Sequence, residues 1–501
     1  MKIRFLWLSA VVALVVAGAL AGCGGTTYFA GRSLPPSALL NRVLIAIQNP
    51  GAFAKGTLQF VDAYYDRRSG FTGVPPSFNI SGYSGALPAT IQNMPEEQLG
   101  AVYGTGDGSL VPVSYAKETS SGGSGLNGLS SSVFMTRNQN FVFAASQSAH
   151  ILTVVDHTNG GSYPLSLPGI YRVSVNPGGS MALAFVENSN YAYYPVKLSS
   201  AQTTNYSGGP TTWPLGAVDC EPQNAPGWCL FQALDPSSTS AHIVPLVFDR
   251  PVKAVFSSDG GTAYVLNCGP ECGGSKASIS ILPVAPMIFL VGQGSGTLPS
   301  NATLASSNVA IPGGASNALV TSSTIYVVGQ CAAASTLTSN EEPQCAAGPP
   351  TQNSLFTGML TVLSLPTGAT SGITVSNSIP ISDGAPGAVS RMLEADNNTL
   401  WIGMTKCNNG VRAANSLPYG CLTMFNTSTN SVTMLEPYLG DATGIAAVTG
   451  LNKIYTAEGG QVYIYATTDG TAIDNQYVTV TGTAYDVAYM DATTDANNTV
   501  Y

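Results

Sequence analysis

The sequence predicts an all-β chain folded as a single β-propeller of four-stranded antiparallel blades, seven or eight in number. Three observations carry that prediction. Short runs of β-branched and aromatic residues recur between Gly, Asn and Asp turns. No amphipathic helical period follows the first 22 residues. The strand sets at the two ends of the chain are each incomplete, and each supplies what the other lacks. The recurring unit is an apolar strand, a polar turn, a second strand rich in Tyr or Val, and then a third. It stands out in VSVNPGGSMALAFV (Val173 to Val186), AVFSSDGGTAYVLN (Ala254 to Asn267) and MLEADNNTLWIGM (Met392 to Met404). Two further copies are FMTRNQNFVFAAS (Phe134 to Ser146) and AAVTGLNKIYTAE (Ala446 to Glu458). The turn residues accept positive φ or form Asx-type hydrogen bonds, as a tight antiparallel hairpin requires. Four strands per unit, repeating at roughly 40 to 70 residues, is the pattern of a propeller.

Third strands number eight by inspection: Gly56 to Asp66, Ser109 to Ala116, His150 to Asn159, Tyr191 to Leu198, Ala277 to Val284, Gly358 to Leu365, Cys421 to Thr427, and Gln461 to Thr467. The second, GSLVPVSYA, is the weakest copy, so a count of seven stays open beside eight. Near the start, RVLIAIQ and GTLQFVDAYYD have no first strand before them. Near the end, GTAYDVAYMD (Gly482 to Asp491) has no complete blade after it. Pairing the two ends removes exposed sheet edges and makes residues 42–501 one domain.

The N-terminus reads as an address. MKIR is followed by FLWLSAVVALVVAGAL, a run free of charge, shorter than a comfortable membrane span and laid out as an export signal. Leu20-Ala21-Gly22-Cys23 resembles the lipobox of bacterial lipoproteins. That resemblance implies removal of residues 1–22, lipidation of Cys23, and a short tether over 23–41. Gly24, where inner-membrane members often carry Asp, implies the outer membrane if the source has two. A second resemblance lies in SSDGGTAYV (Ser257 to Val265), which looks like the signature of YVTN-type (lactonase-like) propellers. It implies a propeller, usually of seven blades, and a sugar lactone as one candidate substrate.

Composition excludes several partners. Charged residues make up only 9% of the chain, with 27 acidic against 18 basic. Loss of Lys2 and Arg4 with the signal leaves the mature chain still more acidic than its formal −9. Such a surface does not suit nucleic acid. A 44% hydrophobic content is enough for a large core, so the chain is no disordered stalk. The expected partners are the membrane, through the anchor, and an envelope protein, a glycan or a small anionic ligand.

Eight cysteines remain beside Cys23, in close couples: Cys220 with Cys229, Cys268 with Cys272, Cys331 with Cys345, and Cys407 with Cys421. An even count in an exported chain argues for disulfides, and short separations favour local pairing. CGPEC has one residue too many for a thioredoxin-like motif, and no CxxC-like couples offer a zinc site. Three of the couples fall between second and third strands, on the face that also holds the links into each first strand. A clip over about 15 residues there contributes roughly 3 kcal/mol. Those loops are expected to form a rigid rim, with Cys220/Cys229 between third and fourth strands on the opposite face or outer edge.

Catalytic constellations are scarce. His150, His157 and His242 are the only histidines, without metal-pair spacing, and His157 reads as a turn residue. Glu96-Glu97 reads as a solvated turn, and Asp491 to Asn498 as a polar hairpin turn rather than a calcium loop. No metal or cofactor is expected. Aligned first strands bring Thr90, Ser132, Arg172, Lys253, Asn317, Ala388, Gly444 and Asp486 to one level of the channel. Arg172, Lys253, Asn317 and Asp486 are the candidate ligand-binding residues, with Arg172 beside Lys253 offering an anion site. The function expected is a membrane-anchored, non-catalytic binding propeller for an envelope partner or glycan. The alternative is a lactonase-like hydrolase acting in the channel.

Overall fold

The computed structural model describes residues 27–28, 31–49, 51, 55–69, 78–198, 209–213, 216–221, 227–235, 244–284, 307–332, 356–365, 372–382, 389–405, 421–435, 439–474 and 477–495. It is a β-propeller of eight blades. The innermost strands, in blade order, are Thr483–Tyr489, Pro88–Met94, Ser132–Met135, Ile170–Val175, Pro251–Phe256, Asn317–Val320, Val389–Ala395 and Ala442–Val448. GSLVPVSYA is a genuine third strand, Ser109–Ser114 of blade 2, which settles the count at eight. No helix among the described residues is long and apolar enough to cross a membrane.

The hairpins form for the reason their turns suggest. In SSDGGTAYV, Ser257 Oγ donates to Asp259 Oδ1 at 2.5 Å and accepts from Thr262 N at 2.9 Å. Gly260 supplies the positive φ of +70° that closes the turn. In the blade 4 copy, Asn176 Oδ1 accepts from Met181 N at 2.9 Å.

The core lies between blades rather than at the centre. Eight buried clusters each join one adjacent pair of blades around the ring. In Thr262–Asn267, for example, Ala263 and Val265 pack towards blade 4 while Tyr264 and Leu266 pack towards blade 6. Side chains alternate across a strand, so a strand buried on both faces must be apolar throughout. That is why second strands read as continuous apolar runs.

The ring closes as the two incomplete ends predict. Thr483–Tyr489 is the innermost strand of blade 1 and pairs antiparallel with Arg42–Asn49, which pairs with Lys55–Asp62. A buried ion network locks this seam. Arg42, 1% exposed, donates from Nη2 to Asp491 Oδ1 at 2.6 Å and from Nε to Asp491 Oδ2 at 3.0 Å. Its Nη1 donates to Glu118 Oε1 at 2.8 Å and to the Tyr115 carbonyl at 2.7 Å. Asp491 is thus a buried partner rather than part of a free polar turn. Before the first blade, Arg32 Nη2 donates to the Pro95 carbonyl at 2.7 Å and Nη1 to the Ala492 carbonyl at 2.9 Å.

Candidate functional site

The inner strands carry a recurring bulge that sets which side chain enters the channel. Pairing shifts between Pro88 and Thr90, Ile170 and Arg172, Pro251 and Lys253, Val389 and Arg391, and Ala442 and Gly444. The residue just after each shift stands at one level of the ring. Seven of the eight expected ring positions are those the inner strands present, and blade 7 is the correction. Its ring residue is Arg391, three positions after Ala388, which lies outside the described residues.

The substitution of an arginine for an alanine changes the site. Arg172, Lys253 and Arg391 now bring three cations to the ring against the one carboxylate of Asp486. Arg391 Nη2 donates to Asp486 Oδ2, reaching past Gly444 of the intervening blade. A Cβ on Gly444 would lie 2.4 Å from Asp486 Oδ1 and 2.8 Å from its Cα, so only glycine leaves the pair room to form. Asp486 is buried and also accepts from Ile91 N at 2.8 Å and Val487 N at 2.9 Å. Burial raises its carboxyl above the usual range, against the opposing pull of Arg391.

Lys253 is 5% exposed. Its Nζ donates to Asn317 Oδ1 at 2.8 Å, and no carboxylate pairs with it among the described residues. Burial first, then the repulsion of Arg172 and Arg391, holds its ammonium well below the usual lysine range.

Lys253 and Asn317 form a shared wall between two cavities. The upper one, about 260 Å³, opens among the starts of inner strands and is lined by Thr90, Ser132, Arg172, Ser390, Arg391 and Tyr485, among others. The lower one, about 460 Å³, lies among strand ends and contains Met94, Phe134, Val175, Phe256, Leu319 and Met392. A third cavity of about 290 Å³ lies on the upper face between Arg172 and Cys272.

The upper face is the stapled one. Cys268 is bonded to Cys272 in the loop between Thr262–Asn267 and Ser278–Pro283. That loop is pinned on both sides. Asp249 Oδ2 accepts from Ser275 N at 2.8 Å and Lys276 N at 2.7 Å, while Glu271 Oε2 accepts from Gln330 N on blade 6 at 2.8 Å. Cys331 and Cys421 are disulfide-bonded; their expected partners Cys345 and Cys407 lie outside the described residues. Cys220 and Cys229 form a cross-strand bond. The order in that sheet is Ala192–Lys197, Trp228–Gln232, Ala217–Glu221, so the bond staples a hairpin on the outer edge of blade 4.

The other expected residues take lesser places. His150 and His157 are exposed turn residues, with His157 Nδ1 2.6 Å from the Gln139 carbonyl, and His242 lies outside the described residues. Glu96 and Glu97 are exposed on a short turn. With Asp495 they form the one set of three carboxylates among the described residues whose oxygens lie within 4.8 Å of one another. Arg137 Nε already occupies Asp495 at 2.7 Å.

No family model matches the chain, and no curated protein does. Solved structures do resemble it. Kuenenia stuttgartiensis hydrazine synthase is 13% identical, covering 80% of this chain and 99% of that one with a TM-score of 0.44. The β-propeller domain of Myceliophteria thermophila Cps50 is 10% identical over 77% of this chain and 98% of that one, with a TM-score of 0.44. Pseudomonas aeruginosa periplasmic gluconolactonase is 12% identical over 90% and 99%, with a TM-score of 0.38. These similarities are ones of fold.

Proposed function

We propose that this chain is an exported, lipid-anchored binding propeller, non-catalytic, whose channel takes a small organic anion such as a carboxylate or a uronic sugar. One observation carries the reading: a buried lysine that, among the described residues, has no carboxylate partner stands at a ring level where those residues supply two arginines and one carboxylate, already engaged by Arg391. Lysine is almost never fully buried unless paired. A bound anion relieves the mutual repulsion of the cations and accepts charge-assisted hydrogen bonds from them. In an acidic chain, a cationic chamber selects its ligand by charge as well as by size. Export and anchoring rest on the lipobox-like Leu20 to Cys23, with the outer membrane as the destination where the source has two membranes.

Thermal melting against a series of small anions tests the channel. An anion that binds the folded state raises Tm by mass action, and the Arg172→Ala/Lys253→Ala double variant loses that rise while still folding. Equal shifts in both proteins, or none in either, refute the site. For the anchor, Cys23→Ser moves the protein out of the detergent phase.

The lactone-hydrolase reading has one observation in its favour. Lys253 lines both cavities, and burial holds its amine below the usual lysine range, which suits it to act as a base there. Hydrolysis of a sugar lactone that is lost on Lys253→Met would establish it, and an inert protein would exclude it.

A further inference from the structure

The two cavities meet at Lys253, and they differ in kind. Above it are Arg172, Arg391 and hydroxyl side chains; below it the lining is mainly apolar, with Phe134, Phe256, Leu319 and Met392, and also carries Glu96 and Arg137. A ligand lying across the lysine would therefore be anionic at one end and apolar at the other. The group beside Nζ would meet a primary amine that no carboxylate among the described residues keeps charged and that two arginines keep neutral. Lysines made nucleophilic by desolvation or a neighbouring cation attack carbonyls.

We infer that Lys253 captures the carbonyl of a 2-oxo acid with an apolar side chain as a reversible imine. This rests on the anion-binding reading of the channel and names its ligand. The carboxylate sits in the upper chamber against Arg172, and the side chain enters the lower one. Only in this acid class does the carbonyl carbon directly join a carboxylate to an apolar substituent, the order in which the three environments are stacked. The amine lone pair of Nζ forms a C–N bond to the carbonyl carbon, and the carbonyl oxygen takes up a proton. The resulting carbinolamine loses water to leave a C=N bond. Carbon is neither oxidised nor reduced, and water reverses the step. Asn317, whose Oδ1 accepts from Nζ, is a positioning residue that aims the amine at the boundary between the chambers.

The test is reductive trapping of the full-length protein with sodium cyanoborohydride and 4-methyl-2-oxopentanoate. Peptide mass spectrometry reads the result, and 4-methyl-2-hydroxypentanoate serves as the non-carbonyl control. Expected is a mass gain on Lys253 equal to that of the oxo acid less one oxygen, with Lys253 labelled well ahead of the surface lysines. Pyruvate, which leaves the lower chamber empty, labels it less. Lys253→Arg, whose guanidinium cannot form the imine, takes no label. If both acids raise Tm but no label appears, or label spreads evenly over all lysines, the imine is overturned and anion binding stands. If neither acid raises Tm and no label appears, both readings fall.

Discussion

Arg42 holds the seam where the chain closes on itself, and its removal should be felt by the whole ring. In Arg42→Met the side-chain volume is roughly kept while Asp491 and Glu118 lose the cation between them. Both carboxylates are buried, at 2% and 7% exposure, and the Tyr115 carbonyl loses a donor as well. Breaking a buried pair from one side costs about 3–5 kcal/mol, because the remaining charge is left without compensation. The conversion to temperature follows from size. At about 2.1 cal/mol/K per residue, roughly 450 residues unfolding as one unit give an unfolding entropy near ~0.9 kcal/mol/K, so Tm should fall by about 3–5 °C. Calorimetry is the assay, since it also shows whether the transition stays single. Adding Asp491→Leu and Glu118→Gln should restore most of the loss, because the uncompensated charges go with their partner. A fall under about 1 °C would show that the seam does not depend on this network. A split transition, with blade 1 melting first, would refute the claim that the closed ring is one cooperative unit.

Three other outcomes follow from the same geometry. Gly444→Ala places a methyl group against Asp486 and should cost about 1–3 kcal/mol by overpacking; by separating Asp486 from Arg391 it should also enlarge the Tm rise given by an anion. A Tm unchanged in calorimetry would show that the two residues are not in register. Burial raises the Asp495 carboxyl from the usual 3.8 to about 6. The folded state therefore binds that proton more tightly than the unfolded chain, and the stability this confers, full below pH 3.8, is lost as pH rises through about 6. Asp495→Asn removes this contribution, so the Tm difference between wild type and variant should shift across that window and be flat above it; a difference constant throughout would contradict the assignment. Non-reducing peptide mapping should join Cys331 to Cys345 and Cys407 to Cys421, and a free thiol at any of the four would break the clipped-rim picture.

Much of this fold was legible because its instructions are local. Each hairpin announces itself through a short turn such as Asn176 to Gly179 or Ser257 to Gly260, flanked by strands with nothing polar to offer solvent. The closure was legible for a different reason: an unpaired second strand at one end and a spare first strand at the other have only one use. The ring was read correctly except at blade 7, where Ala388 stood in for Arg391. Apolar alternation around Val389 and Met392 allows more than one register, and the bulge after Val389 is invisible in composition. Counting back from the turn would have found it. Arg172, Lys253 and Asn317 each stand four residues before the turn residue that follows them, Asn176, Ser257 and Thr321, and Arg391 stands four before Ala395. The burial of Asp491 could not be read at all. Its partner Arg42 is 449 positions away, and nothing around Asp491 distinguishes it from the aspartates of exposed turns.

The seam and the ring are parts of one device. Asp486, the one ring carboxylate among the described residues, belongs to the closing strand, the last of the innermost strands in sequence, which completes blade 1. Docking brings Asp486 to Arg391 across Gly444, and the same carboxylate accepts from Ile91 N of blade 2. One side chain thus ties the last strand to blade 2 on one side and, across blade 8, to blade 7 on the other. What remains is a buried lysine that no carboxylate pairs with among the described residues, its Nζ donating to Asn317 Oδ1. A protein under pressure only to close its ring has no use for that arrangement, since an apolar residue at position 253 would avoid the desolvation of an amine. The buried amine is therefore best explained by what the channel holds.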